Sequence, residues 1–181
     1  STTFAVVAGL LMAVDGLAVS MSRIALLDTS LMFFVLLAVL FVLRDRERTM
    51  TRIAQTVAAR YDGDTPPSWG PVLWNRPWII AAGAALGAAS AVKWSGAWVL
   101  AGLGVYLVVT DALARRRAGV LFWPTDAVRQ GLATFVLFVP VALVVYVASW
   151  SGWLFSSGGY DRQAGSNPLQ SLWIYHVAMY K

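Results

Sequence analysis

The chain has 181 residues, 59% of them hydrophobic and only 13% charged, with a mean hydropathy of +0.66 and a formal net charge of +5. A water-soluble domain of this size is about half apolar and about a quarter charged, and it could not bury so much apolar surface, so a bilayer is the expected solvent. The absence of cysteine excludes disulfides and thiolate chemistry, and the single histidine excludes a multi-histidine metal site within the chain.

Five apolar runs, at residues 4–20, 24–43, 78–95, 97–111 and 132–150, predict an all-α, multi-pass transmembrane helical bundle. Ser1-Thr2-Thr3 lead straight into the first run, with no basic segment, no cleavage site and no initiator Met. No signal peptide is expected, and the chain reads as an internal piece of a longer protein. The second run is about 30 Å long as a helix, which matches the hydrocarbon core. The third and fourth are short. Gly83, Ala84, Gly87, Ala88 and Ala91 in the third permit close helix contact. Pro140 in the fifth is a kink that a spanning helix tolerates.

The connections at 44–77 and 112–131 carry ten basic residues, and the opposite set carries four, namely Arg23, Lys93, Arg162 and Lys181. The positive-inside rule makes the first two loops cytoplasmic and the segment 151–181 external. Basic residues confined to loops between apolar runs also argue against a nucleic-acid partner. Arg44–Arg60 is read as a surface helix of mixed charge, and Asp62-Gly63-Asp64-Thr65-Pro66-Pro67 as a turn. Trp69, Trp74 and Trp78 are interface anchors. Arg115-Arg116-Arg117 is a topology determinant touching anionic lipid.

Four ionisable residues sit within or beside the apolar runs: Asp15, Arg23, Asp28 and Lys93. Charge in hydrocarbon is costly, which makes each a functional candidate. The inferred topology puts all four at one level, on the outer side. Structural readings stand beside this one: an Asp15–Arg23 or Arg23–Asp28 ion pair, or a Lys93 that snorkels to the interface. As a cluster they suit an anionic ligand, with Arg23 as a bidentate fork for a phosphate and Lys93 as a point charge. A phosphate on a long lipid tail would fit a groove opening into the bilayer. His176 lies in Trp173-Ile174-Tyr175-His176, where a hydrogen-bonded structural role competes with a functional one.

Asp15-Gly16, Ser22-Arg23, Leu26-Leu27-Asp28 and Phe33-Phe34 together resemble the protein O-mannosyltransferase family. So does Gly83-Ala84-Ala85-Leu86-Gly87 followed by Lys93-Trp94-Ser95-Gly96. Asn167-Pro168-Leu169-Gln170-Ser171-Leu172-Trp173 with Tyr175-His176 is similar to bacterial, actinobacterial-type members. The resemblance implies a C-type glycosyltransferase membrane fold, with these runs as its third to seventh spans. It implies an inverting hexosyltransferase of the plasma membrane, with its active site outside the cytoplasm. Such an enzyme moves mannose from polyprenyl phosphate mannose to Ser or Thr of secreted proteins, without a cofactor or metal. The protein translocation machinery is then a further candidate partner.

On this resemblance Arg23 lies near the donor phosphate, with Ser22, Lys93, Trp94, Asp15 and Asp28 as donor phosphate and sugar candidates. His176 and Tyr175 are acceptor-side candidates. The family's external Asp-Glu pair, expected to hold the catalytic base, has no counterpart here and is expected upstream of Ser1. Alternative readings are another polyprenyl-phosphate-sugar transferase acting on lipid or polysaccharide, and a transporter or non-enzymatic membrane subunit.

Overall fold

A computed structural model describes residues 2–16, 19–20 and 27–180. Seven helices are present among them. These are α1 (Thr2–Val14), α2 (Leu27–Ala58), α3 (Pro77–Val92), α4 (Ser95–Arg117), α5 (Trp123–Ser149), α6 (Ser151–Phe155) and α7 (Pro168–Tyr180). Three of them, α2, α4 and α5, are long and apolar enough to cross a membrane, and α1 and α3 are shorter apolar helices. The chain is a helical membrane bundle. Its outward surface is apolar, with Leu36, Val105, Leu132 and Leu143 all more than half exposed, as lipid-facing positions require.

The short helix α3 is the centre of the bundle and packs on α2, α4 and α5. Its small residues set this arrangement. A Cβ on Gly83 would lie 2.5 Å from the Phe138 carbonyl oxygen, and one on Gly87 would lie 2.4 Å from that of Ala142. Only glycine lets the α3 and α5 backbones approach so closely. Ala38 and Val42 of α2, Ile79, Leu86 and Ala89 of α3, Leu107 of α4 and Phe138 of α5 fill the apolar core.

Between α3 and α4 only Lys93 and Trp94 intervene. Lys93 is extended (φ −157°, ψ 135°), and its N–H still donates to the Ala89 carbonyl. A Cβ on Gly96 would lie 2.6 Å from the Ser90 nitrogen, so glycine there lets α4 fold straight back onto α3. The Lys-Trp-Ser-Gly motif is thus a tight helical hairpin, and it holds Lys93 and Trp94 at one end of the bundle.

From Leu27 onward the second apolar run lies in a helix that continues without a break to Ala58. Beyond Leu43 this helix is amphipathic. Asp45, Thr49, Ile53 and Val57 recur every four residues and are all buried. Ile53 and Val57 join Ala114 and Val120 in a second core. The loops on this side also pair with each other: the Leu121 and Phe122 N–H groups donate to the Pro67 and Ser68 carbonyls at 3.1 Å. Gly119 (φ +86°) makes the turn after α4 that allows this.

Candidate functional site

Polar groups gather at both ends of the bundle, in different ways. At the end formed by the start of α2 and the α3–α4 hairpin, Lys93 Nζ donates to Asp28 Oδ1 at 2.7 Å. Both side chains remain about half exposed. The pair is therefore wet, adds little to stability and stays open to a ligand. Asp15 is exposed just past the end of α1. Ser22 and Arg23 lie outside the described residues.

Beside Lys93 stands an aromatic cluster. Trp94 stacks on His176, with ring centroids 5.7 Å apart and planes 19° from parallel. Trp94 Nε1 donates to the Tyr146 hydroxyl at 3.0 Å, and that hydroxyl lies 2.6 Å from His176 Nε2. His176 Nδ1 is 2.7 Å from the Leu172 carbonyl oxygen. A carbonyl can only accept, so Nδ1 carries the proton in the neutral ring and Nε2 accepts from Tyr146. The four groups form one directed chain: indole to phenol to imidazole to carbonyl. Tyr175 closes the cluster against Trp150 (5.5 Å) and Trp153 (6.0 Å).

Local sequence explains how His176 is delivered there. Asn167 caps α7, its Oδ1 accepting from the Gln170 N–H at 2.8 Å. Pro168 occupies the first helical position. Gln170 Oε1 reaches back to the Ser166 N–H at 2.9 Å, much as in a capping box. Ser171 Oγ accepts from the Gly165 N–H at 3.0 Å. The Asn-Pro-Leu-Gln-Ser segment is thus the start signal of the helix that carries Tyr175 and His176. An apolar groove of about 460 Å³ runs from His176, Tyr146 and Trp94 between α4 and α5, past Trp98, Val139 and Leu143.

Of the residues singled out in the sequence, the structure joins Asp28 to Lys93, and Trp94 and Tyr175 to His176. Tyr146 and Trp150 were missed. The available signal was a phenol within an apolar span, one turn before a tryptophan.

The opposite end holds a larger and quite different concentration of charge. Arg76, at the start of α3, donates from Nε to both Asp45 oxygens at 3.1 and 3.2 Å. Its Nη1 donates to Asp111 Oδ2 and to Thr134 Oγ1, each at 2.8 Å. Arg46 also pairs with Asp111, and its Nε and Nη2 are buried without a partner among the described residues. Arg115 Nε donates to Asp126 at 2.7 Å and its Nη2 to the Pro71 carbonyl at 2.7 Å. Gln130 clamps the Leu73 backbone, accepting its N–H at 2.7 Å and donating to its carbonyl at 3.1 Å.

Burial disfavours the Arg76 cation. Its hydrogen bonds to Asp45 and the charges of Asp111 and Asp45 outweigh that cost, and its pKa is raised. Three buried arginines face three buried aspartates in this network, and the half-exposed Arg129 adds a contact to Asp126 at 3.3 Å. The network ties α2, α3, α4, α5 and the loop at residues 59–76 together. The ion pairs of Arg76 and Arg115 are almost wholly buried, whereas the Lys93–Asp28 pair at the other end is half exposed.

Residues 1–62 match the family model of dolichyl-phosphate-mannose-protein mannosyltransferase. Over its whole length the chain is 34% identical to a polyprenol-phosphate-mannose–protein mannosyltransferase of Mycolicibacterium smegmatis (strain MKD8), covering 37% of that protein. A protein of the same description from Mycobacterium tuberculosis (strain CDC 1551 / Oshkosh) is 33% identical over 97% of the chain and 36% of the relative. One from Corynebacterium glutamicum is 30% identical over 91% of the chain and 31% of the relative. The chain thus spans about a third of the length of the relatives it matches. No solved structure matches it. With the helical membrane bundle and the spaced motifs, these matches make the chain a homologue, along its length, of part of the protein O-mannosyltransferases.

Proposed function

We propose that the protein to which this chain belongs transfers mannose from polyprenyl phosphate mannose to Ser or Thr hydroxyls of exported proteins. In this reading it is a C-type glycosyltransferase of the plasma membrane and works on the extracytoplasmic face. Residues 44–77 and 112–131 are then cytoplasmic, and residues 151–181 are external. Acceptors would be met as they leave the translocation machinery. One observation carries the reading: a half-exposed Lys93–Asp28 pair adjoins the Trp94–Tyr146–His176 chain, whose members line an apolar groove. That combination suits a phosphate with a long apolar tail, in a chain similar throughout to enzymes named for such a donor.

The acceptor oxygen attacks the anomeric carbon while a carboxylate takes its proton. The family resemblance assigns the base to an external acidic pair that has no counterpart in this chain. The bond from the anomeric carbon to the phosphate oxygen breaks, and its electron pair stays on the phosphate. Fixed cations stabilise the charge that develops there. Arg23 is the first candidate for that role and Lys93 the second, with Ser22 and Trp94 as further donor-binding candidates. Asp28 orients Lys93, Asp15 is a further orienting or sugar-binding group, and Tyr175 and His176 face the acceptor.

The test uses the full-length protein in membranes, supplied with polyprenyl phosphate mannose and a Ser/Thr-rich acceptor peptide. Mannosylated peptide is the expected product, and it should be lost in Arg23→Ala at equal protein level. A glycolipid product would transfer the reading to a lipid-directed sugar transferase. Undiminished turnover in Arg23→Ala would remove Arg23 from the donor site.

A further inference from the structure

Five residues at four-residue spacing, Leu36, Leu40, Arg44, Arg48 and Arg52, are all exposed on α2. Four-residue spacing puts successive members side by side, in a row that winds about 40° around the helix at each step. The row is apolar toward the centre of the bundle and basic beyond Leu43, where the apolar run ends. Among the described residues none of the three arginines is in an ion pair.

Two of the arginines are nevertheless held in place. The Arg48 guanidinium lies over the Trp78 ring, 5.4 Å from its centroid, and that ring stacks on Phe41 at 5.6 Å. Arg52 Nη1 donates to the Asn75 carbonyl at 3.1 Å. A guanidinium has five N–H donors, so both keep donors to spare. Between them opens a cleft of about 560 Å³, lined also by Asn75, Glu47 and the Arg76–Asp45 pair. Arg76 and Asp45 cancel, and Glu47 offsets one exposed arginine, which leaves a single net positive charge.

We propose that this cleft binds the headgroup of an anionic glycerophospholipid. Arg48 and Arg52 hold its phosphodiester, and its acyl chains lie along Leu40 and Leu36. The charge suits a monoanionic diester, and the apolar-then-basic order of the stripe suits an amphiphile entering from the bilayer. The site lies at the opposite end of the bundle from Lys93 and does not depend on the transferase reading.

The full-length protein is placed in nanodiscs of equal phosphatidylglycerol and phosphatidylcholine, released, and weighed by native mass spectrometry to count retained lipid. Wild type should keep phosphatidylglycerol in preference. R48Q/R52Q should lower that preference on the order of tenfold, given the worth of each arginine near an anionic surface, with an unchanged melting temperature. R60Q/R129Q, which removes two exposed arginines elsewhere on the same side, should leave it intact. Equal losses in the two double variants would reduce the effect to general surface charge and overturn the proposal, as would a wild type without preference. Millimolar inorganic phosphate should not displace the lipid; displacement would assign the cleft to free phosphate instead.

Discussion

Arg115 on α4 donates to Asp126 on α5 across 2.7 Å, and neither side chain retains any contact with solvent. Two charges taken this far from water are tolerated because their remaining groups are also bonded. Arg115 reaches Pro71 and Gln130, and Asp126 accepts the Gly70 N–H.

Removing Asp126 strands Arg115, and removing Arg115 leaves Asp126 only the half-exposed Arg129, at 3.3 Å. Arg115→Ala or Asp126→Ala should each cost about 3–5 kcal/mol, read as a lower melting temperature in detergent. Replacing both by apolar residues of similar size, Arg115→Met with Asp126→Leu, should recover most of the loss, because no unpaired charge is left. A double variant as unstable as the single ones would show that the hydrogen bonds to the loops, and not the ion pair, carry the effect.

That network was not legible in the sequence, and the reason is physical. Arg76 and Arg115 stand among loop arginines, where a basic residue ordinarily remains solvated and serves topology. Their partners are far away in sequence: Asp45 and Arg76 are 31 residues apart, and Arg46 and Asp111 are 65. Only the four-residue recurrence of Asp45, Thr49, Ile53 and Val57 hinted that the helix beyond Leu43 has a buried face. The apolar helices were legible, because sustained hydrophobic runs have few other solutions. At the other end, Lys93 with Asp28 was legible as costly charge beside apolar sequence. The Tyr146 link between Trp94 and His176 required knowing how α5 and α7 meet.

The α3–α5 contact makes a sharp steric prediction. Gly83→Ala and Gly87→Ala each drive a methyl into a backbone carbonyl that cannot move without shifting a helix. Each should destabilise by about 1–3 kcal/mol. Gly104→Ala on α4 meets nothing within 4 Å and should be neutral or slightly stabilising through helix propensity. Thermal unfolding of the three variants side by side checks the contrast. Equal tolerance at all three positions would mean that α3 and α5 are farther apart.

The Trp94–Tyr146–His176 chain predicts coupling. Tyr146→Phe removes the one oxygen that serves both Trp94 Nε1 and His176 Nε2, at a cost of about 1 kcal/mol. His176→Ala loses that same link together with the bond to Leu172. The two changes should therefore be less than additive in stability, with a coupling of about 0.5–2 kcal/mol in a double-mutant cycle. Strict additivity would show that the phenol and imidazole do not interact. A transfer rate unchanged in His176→Ala would leave the ring a purely structural part.

Lys93 and Asp28 separate function from folding most cleanly, because their pair is half exposed. Lys93→Met or Asp28→Asn should change stability by less than about 1 kcal/mol. If Lys93 contacts the donor phosphate, its loss should lower mannosyl transfer by the full-length protein about tenfold, equivalent to about 1.4 kcal/mol of transition-state stabilisation. The exchanged pair, Asp28→Lys with Lys93→Asp, restores the attraction but moves the cation from the α3–α4 hairpin to α2. It should fold like wild type and remain impaired in transfer. Full recovery of turnover in the exchanged variant would mean that only the attraction between these helices matters, and that Lys93 has no part in holding the donor.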